Sequence, residues 1–434
     1  MHTVPGMGKR ILTLATGALL GVLFFPAMLR MGFLWGLLPN RDLNQASSYV
    51  REVLQMVNEN YVDPKAVGYD ALAKSAIHGM VDSLDPHSEF LESKDNQELE
   101  DELSGEFGGI GVQVDQYQGK IVVIAPTAGG PGDRAGIRSG DWITAIDGKT
   151  LAPGIAMDDV VDQLRGKPHT RVSLGLFRPS TGQKLQLTIL RETIKTDSVG
   201  DSRVLTGDIG YIQVNDFSDH TGEQFIDALN KLLKQGINSL VIDLRNNPGG
   251  LLDAAVEVAE PFFRKGEIVV YTQGRSPADR EDYRAEADDE PLDIPVAVLI
   301  NADTASAAEI VTGALKDTGR AVVVGERSFG KGSVQDIFPL KNGEALRLTT
   351  AHYYTPSGVS INQKGITPQV EVVLTADEDF KLSQQLSRPD LRDPKQYEAR
   401  FGTAPIPDRQ LDAALDVLRG VELLDDQAAS RKSK

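Results

Sequence analysis

The sequence predicts an α/β protein of more than one domain: a core of alternating strands and helices, an inserted small β-domain, and helical segments at both ends. Three observations predict it. Short apolar runs at 240–244, 296–300 and 321–324 are separated by stretches of helical spacing. A glycine-rich, strand-like stretch lies ahead of them, between residues 106 and 193. The length, 434 residues, exceeds what one ordinary core fills.

Composition narrows the function. The formal charge is −17, so a general nucleic-acid binder, which needs a basic face, is disfavoured. There is no cysteine, which removes thiol nucleophiles, disulfides, Cys-ligated zinc and a lipid-attachment Cys. No cofactor and no metal site is expected.

The elements follow in chain order. Lys9 and Arg10 precede an apolar run over 11–29, and further apolar residues follow Arg30 up to Leu38. This reads as a signal peptide or signal anchor over 1–40, and therefore as a membrane contact. A buried core helix is the alternative, but the run has almost no polar face. No clear small-x-small cleavage site precedes Asn40, which favours an uncleaved anchor. In the segment 41–105, Val50, Val53, Leu54 and Val57 recur at i, i+3, i+4 and i+7, which predicts a helix over 44–60 ended by Asp63-Pro64. A second helix is expected over 69–83. These helices serve as core or as an interface for a second subunit.

Residues 106–193, about 85 in all, suit a small independent domain. Strands are expected at 112–114, 121–124, 172–177 and 185–190, with a helix at 157–164. From 194 to 375 the pattern alternates: strand 240–244, helix 251–263, strand 296–300, helix 305–315, strand 321–324. The acidic stretch 276–293 is expected to be a surface loop. The tail, 376–434, is expected to open with a polar linker. It ends in an amphipathic helix through Leu411, Leu415 and Leu418, suited to packing or oligomerisation.

Within the small domain, Gly140-Asp141-Trp142-Ile143-Thr144-Ala145-Ile146-Asp147-Gly148 resembles the core of PDZ domains. The loop Gly109, Ile110, Gly111, Val112 resembles their carboxylate-binding loop. Successive backbone N–H groups around small residues form a nest for a terminal carboxylate, and the ligand then adds as a strand. A glycine-rich turn in a generic β-domain is the alternative. A dinucleotide-binding reading of Gly130-Pro131-Gly132 is weaker, because no strand leads through it into a helix.

Common hydrolase signatures are missing: there is no G-x-S-x-G elbow and no H-E-x-x-H helix. Asp85, His87 and Ser88 lie side by side, but a triad is assembled in space from separate elements, and Asp85-Pro86 reads as a helix-ending turn. Three other segments carry more. Ser306 follows the strand 296–300 and opens a helix, so its hydroxyl is presented at a sheet edge beside N–H groups able to hold an oxyanion. Ala305 and Ala307 leave room for a peptide; the alternative is a helix cap. Lys331 stands between Gly330 and Gly332, one helix and one strand further on, at the same sheet edge. As a base it must be neutral, so desolvation must lower its pKa; the alternative is a surface lysine. The segment 243–250, Asp-Leu-Arg-Asn-Asn-Pro-Gly-Gly, follows a buried strand. Its glycines can offer an unobstructed N–H, or merely turn the chain.

Together these three motifs, placed after a PDZ-like unit, resemble the carboxyl-terminal processing peptidases, also called tail-specific proteases. The resemblance covers residues 44 to 373. It implies a crotonase-like core with an inserted PDZ domain, Ser306 as nucleophile, Lys331 as general base, and Gln335 holding the lysine amine. It implies an oxyanion hole from Ala307 and from Gly249 or Gly250. Thr304 and Ala308 depart from the serines often found in the family, at positions other than the nucleophile. Arg165 looks like the family residue that links a docked PDZ domain to the catalytic Gln; a solvated Arg is the alternative. The implied partners are proteins or peptides with free C-termini, an adaptor protein and further copies of the chain, in a bacterial envelope on the periplasmic side. Three other readings compete: an inactive PDZ scaffold, a His-dependent PDZ protease, and a coenzyme A thioester enzyme. The second needs a G-x-S-x-G motif, and the third does not carry a PDZ insert.

Overall fold

The computed structural model describes residues 40–432 apart from 118, 128, 153 and 390. The expected signal segment, 1–40, falls almost wholly outside the described residues. No described helix is long and apolar enough to cross a membrane.

The chain divides into two units, 1–86 and 87–434. In the first, helix Arg41–Asn60 starts where the Asn40 side chain accepts the N–H groups of Asp42 and Leu43. It stops before Asp63-Pro64, and a second helix spans Tyr69–Asp82. The first helix buries none of its residues.

The second unit is built on a six-stranded sheet ordered β10 (Val199–Val204), β11 (Ile209–Val214), β12 (Ser239–Asp243), β15 (Val296–Ile300), β16 (Ala321–Gly325) and β19 (Val370–Glu371). From β11 onward every pairing is parallel. Such strands are covered on both faces, which is why they read as near-continuous apolar runs. Ile212, Ile242, Val298 and Val323 pack under helices Thr221–Lys234, Leu252–Ala259 and Ala307–Asp317. The alternate residues Tyr211, Val241, Leu299 and Val324 pack under Ala414 and Leu418 of helix Arg409–Lys432. Each fully buried Ile, Leu or Val contributes roughly 1.5–3 kcal/mol. Parallel strands bring their C-terminal ends to one edge, so the loops after β12, β15 and β16 converge there.

A second, antiparallel sheet was not legible from the alternating pattern. It runs β1 (Glu89–Leu91), β18 (Ala345–Tyr354), β13 (Ile268–Gln273), β14 (Arg280–Arg284), and β17 (Ser333–Pro339) pairs with β18. This corrects the reading of 276–293 as a loop. Arg280 and Arg284 both pair with Asp282, so β14 is an edge strand protected by alternating charge. Two other expectations change. The helix expected over 251–263 ends at Ala259, and Pro261 converts its last turn to a 3-10 turn. The linker after 375 contains two helices, Ala376–Leu386 with a Thr375–Glu378 capping box and Pro394–Phe401 capped by Asp393.

The small domain has a sheet β3 (Val112–Tyr117), β4 (Lys120–Pro126), β5 (Trp142–Ile146), β7 (Arg171–Arg178), β8 (Gln183–Leu190), with a core of its own around Ile121, Ile146, Val160 and Leu174. Its entry and exit run side by side as the paired strands β2 (Glu106–Gly109) and β9 (Glu192–Lys195), as an insertion requires. Inside it, Asp141 holds Arg178 through Nε at 2.8 Å and Nη2 at 2.7 Å.

Candidate active site

The converging loops are stitched by asparagines. Asn246 N–H donates to Asn301 Oδ1 at 2.9 Å, and Asn301 Nδ2 donates to Asn246 Oδ1 at 2.7 Å. Ala305 N–H donates to the Asn247 carbonyl at 2.9 Å. Thr304, one of the two departures from the family pattern, donates its hydroxyl to the Leu244 carbonyl at 2.8 Å.

Ser306 sits at the turn from β15 into helix Ala307–Asp317 with φ 52° and ψ −118°. A non-glycine residue with this backbone is strained and persists only where its surroundings over-determine it. Glu309 supplies that constraint. Its carboxylate is fully buried and accepts the Ser306 N–H at 2.9 Å, the Lys331 N–H at 2.8 Å, the Gly330 N–H at 2.8 Å and the Ser328 hydroxyl at 2.5 Å. Burial pushes the carboxyl up, and these four donors oppose that. One side chain therefore fixes both the Ser306 turn and the Lys331 loop.

Lys331 lies in the loop after β16. The segment around 362–365 crosses so closely that a Cβ on Gly332 would meet the Asn362 nitrogen at 2.2 Å. Only glycine fits, and the lysine side chain is directed into a cleft of 520 Å³ that Ser306 also lines. Burial lowers the pKa of the amine, Arg347 lowers it further, and Glu102 and Glu89 act the other way. Among the described residues, no hydrogen bond joins the amine to Ser306. Such contacts are often long without substrate.

Gln335 and Gly249 each have a partner of their own. Among the described residues, no hydrogen bond joins Gln335 to the Lys331 amine. Gln335 sits on a bulge in β17, and its Nε2 donates to Ser333 Oγ at 2.8 Å and Thr349 Oγ1 at 3.4 Å. Gly249 packs so tightly that a Cβ would lie 2.6 Å from Ser306 Cβ, yet its N–H is spent on Asn247 Oδ1 at 2.9 Å. Among the described residues, the N–H groups of Gly250 and Ala307 have no acceptor. Gly250 lines the same cleft as Ser306, and Ala307 follows Ser306 in the chain. Among the described residues that line the cleft there is no histidine.

Residues 208–372 match Peptidase family S41, and 122–178 match the PDZ domain family. A carboxy-terminal-processing protease of Bartonella bacilliformis is 40% identical over 364 residues, spanning 80% of this chain and 83% of that protein. The chain belongs to peptidase family S41. A CtpA-like serine protease of Staphylococcus aureus is 39% identical over 324 residues, covering 74% of this chain and 64% of that one. A solved S41 protease structure from Bacteroides fragilis, 18% identical, superposes with a TM-score of 0.50 over 85% of this chain and 97% of that one, a likeness of fold. The S41 chain thus carries an S41 peptidase fold and a PDZ domain, and by family it is a serine protease.

In the PDZ domain of this S41 chain, Gly109, Ile110, Gly111 and Val112 line a groove of 170 Å³ with Phe107, Val161, Leu164 and Arg165. The guanidinium of Arg165 lies over the Phe107 ring, 4.5 Å from its centroid. The expected link from Arg165 to Gln335 is therefore not formed here: one residue is stacked at the groove, and the other is bonded within the second sheet.

Sequence reasoning missed three functional supports. Glu309 lies in the first helical turn, three residues after Ser306, and that spacing was the available signal. Arg245 is buried against Asp243, with Nε at 2.9 Å and Nη2 at 2.6 Å, and reaches Asp408 at 2.9 and 2.8 Å. That pairing spans the chain, and no local pattern reveals it. Arg347 comes from the second sheet, which was itself unforeseen.

Proposed function

We propose that this chain is a serine endopeptidase with a Ser306–Lys331 dyad that cleaves exported or envelope proteins whose C-terminal tails dock in its PDZ groove. The observation that carries the reading is the strained Ser306 turn, followed in the chain by the open N–H of Ala307, with Gly250 and a desolvated lysine lining the same cleft. Lys331 takes the proton of Ser306 Oγ as that oxygen attacks the scissile carbonyl. The N–H groups of Ala307 and Gly250 receive the oxyanion. The proton passes to the leaving amine, and water then releases the acyl-enzyme. In this reading 106–193 is the recognition domain and 194–375 a crotonase-like catalytic core. Segments 1–40, 41–105 and 376–434 serve as anchor, N-terminal helices and C-terminal helices.

The test is a time course of casein degradation by the purified chain beside Ser306→Ala and Lys331→Ala. Cleavage lost in both variants is the expected result. Cleavage that survives either substitution overturns the dyad, and a wild type without activity favours the inactive scaffold. The same reading places the chain on the periplasmic side of a bacterial inner membrane through its N-terminal segment, as a homo-oligomer that can work with an adaptor. Protease accessibility in spheroplasts and light scattering of the purified protein test those two points. A chain protected in spheroplasts, or a monomer in solution, would remove them.

A further inference from the structure

The cleft holds a cation with no part in the mechanism so far. Arg347 lies on β18 and lines the cleft together with Ser306 and Lys331. Ladder register sets it opposite Ile337 and sets Thr349 opposite Gln335. The two-residue period of strands then places all four on one face of the β17–β18 ribbon. The guanidinium is moored at one end, where Nη2 donates to Glu89 Oε2 at 2.9 Å. Its Nε is buried and, among the described residues, has no acceptor. Arg178 and Arg245 each set two nitrogens on one carboxylate, whereas Arg347 sets one. Its charge is therefore only partly compensated.

The other charged side chains lining the cleft are carboxylates: Glu102, Asp219, Asp253, Glu257 and Asp336. Glu89 adds another from β1, and Glu309 faces the backbone of Lys331. Each carboxylate near the amine favours its ammonium form, whereas a general base must be neutral. Arg347 is the one cation besides Lys331 among the described residues of this lining.

We propose that Arg347 is a positioning residue acting through Lys331, a fixed cation that opposes protonation of the amine and keeps the base available near neutral pH. The proposal rests on the Ser306–Lys331 reading. Burial and Arg347 both act to lower the pKa of the amine.

The test is the pH profile of kcat/KM for the wild type, Arg347→Met, Arg347→Lys, Glu102→Gln and Lys331→Ala on one peptide substrate. In Arg347→Met the rising limb moves to higher pH, with a several-fold loss at pH 7 that is recovered on the alkaline plateau. Arg347→Lys keeps the limb near its wild-type position, and Glu102→Gln moves it to lower pH. A limb unmoved in Arg347→Met, or a loss uniform at every pH, overturns the proposal while an inactive Lys331→Ala leaves the dyad standing. Activity in Lys331→Ala would sink the dyad itself. If thermal melting shows that Arg347→Met does not fold, Arg347→Gln, which can still donate to Glu89, takes its place under the same criteria.

Discussion

Glu309→Gln is the sharpest perturbation of the site, because it keeps size and shape and changes one oxygen to an amide nitrogen. In the wild type Oε1 accepts from Ser328 and Gly330, and Oε2 from Ser306 and Lys331. Three partners are N–H groups and the fourth, Ser328, is a hydroxyl that also accepts, so an NH2 on the Oε1 side can donate to Ser328 Oγ, but on either side two donors are left without their acceptor. Two buried donors lose their acceptor, at roughly 1–3 kcal/mol each, or about 2–6 kcal/mol together. Native stability is typically about 5–15 kcal/mol, so the variant folds with a reduced margin. If the amide turns toward Ser306 and Lys331, the strained turn relaxes and kcat falls by more than the stability loss explains. Urea unfolding gives the first quantity, and kcat on a fluorogenic peptide below the transition gives the second. A variant with the wild-type urea midpoint and wild-type kcat would refute the view that Glu309 holds the turn and the loop in place.

Two further predictions follow from the same geometry. Gly249→Ala places a Cβ 2.6 Å from Ser306 Cβ and 2.9 Å from the Ala307 nitrogen, at a backbone φ of 101°. We expect kcat to fall at least tenfold, the equivalent of about 1.4 kcal/mol, with unchanged peptide binding by the PDZ groove in fluorescence anisotropy. Asp408→Asn removes one carboxylate from buried Arg245, and breaking such a pair costs about 3–5 kcal/mol. Arg245 holds the Asp408 carboxyl below the ordinary carboxylate range even though burial pushes it up. Its stabilising contribution is therefore present above the unfolded carboxylate pKa and lost as pH falls through the folded one. The difference in urea midpoint between wild type and variant should shrink on acidification.

Legibility in the sequence tracked how local each feature is. Strands β12, β15 and β16 announce themselves as apolar runs because both faces are covered, and helix 157–164 appears with the bounds expected. Ser306, Lys331 and the 243–250 loop were legible as three motifs, each following a buried strand. What was missed lies in pairings remote in the chain. Strand β1 joins β18 through Glu89–Arg347, and Asp408 reaches Arg245 from the tail. The hydrogen-bond partners of Gln335 and of the Gly249 N–H were also beyond reach. Each depends on a bulge or a turn whose side-chain acceptor lies two residues away.

One stretch of chain lines both the recognition groove and the cleft. Leu99, Glu102 and Leu103 of helix Ser93–Ser104 line the cleft. Gly105 then ends the helix with φ 67°, a left-handed cap suited to glycine. Strand β2 follows at once, and Phe107, Gly109 and Ile110 line the groove. The turn at Gly105 is pinned, since its carbonyl accepts both the N–H and the hydroxyl of Thr196 at 2.9 Å. Helix 93–104 is likewise tied to the core, where Asp219 N–H donates to the Leu103 carbonyl at 3.0 Å. A tail held at Gly109–Val112 is thus held by the same backbone that forms a wall of the cleft. In the proposed reading, docking makes delivery of the scissile bond an intramolecular event governed by the length of the intervening peptide. Substrates that differ only in the spacing between tail and cleavage site should differ in KM more than in kcat. A series of such peptides with equal kcat/KM at every spacing would show that the groove and the cleft work independently.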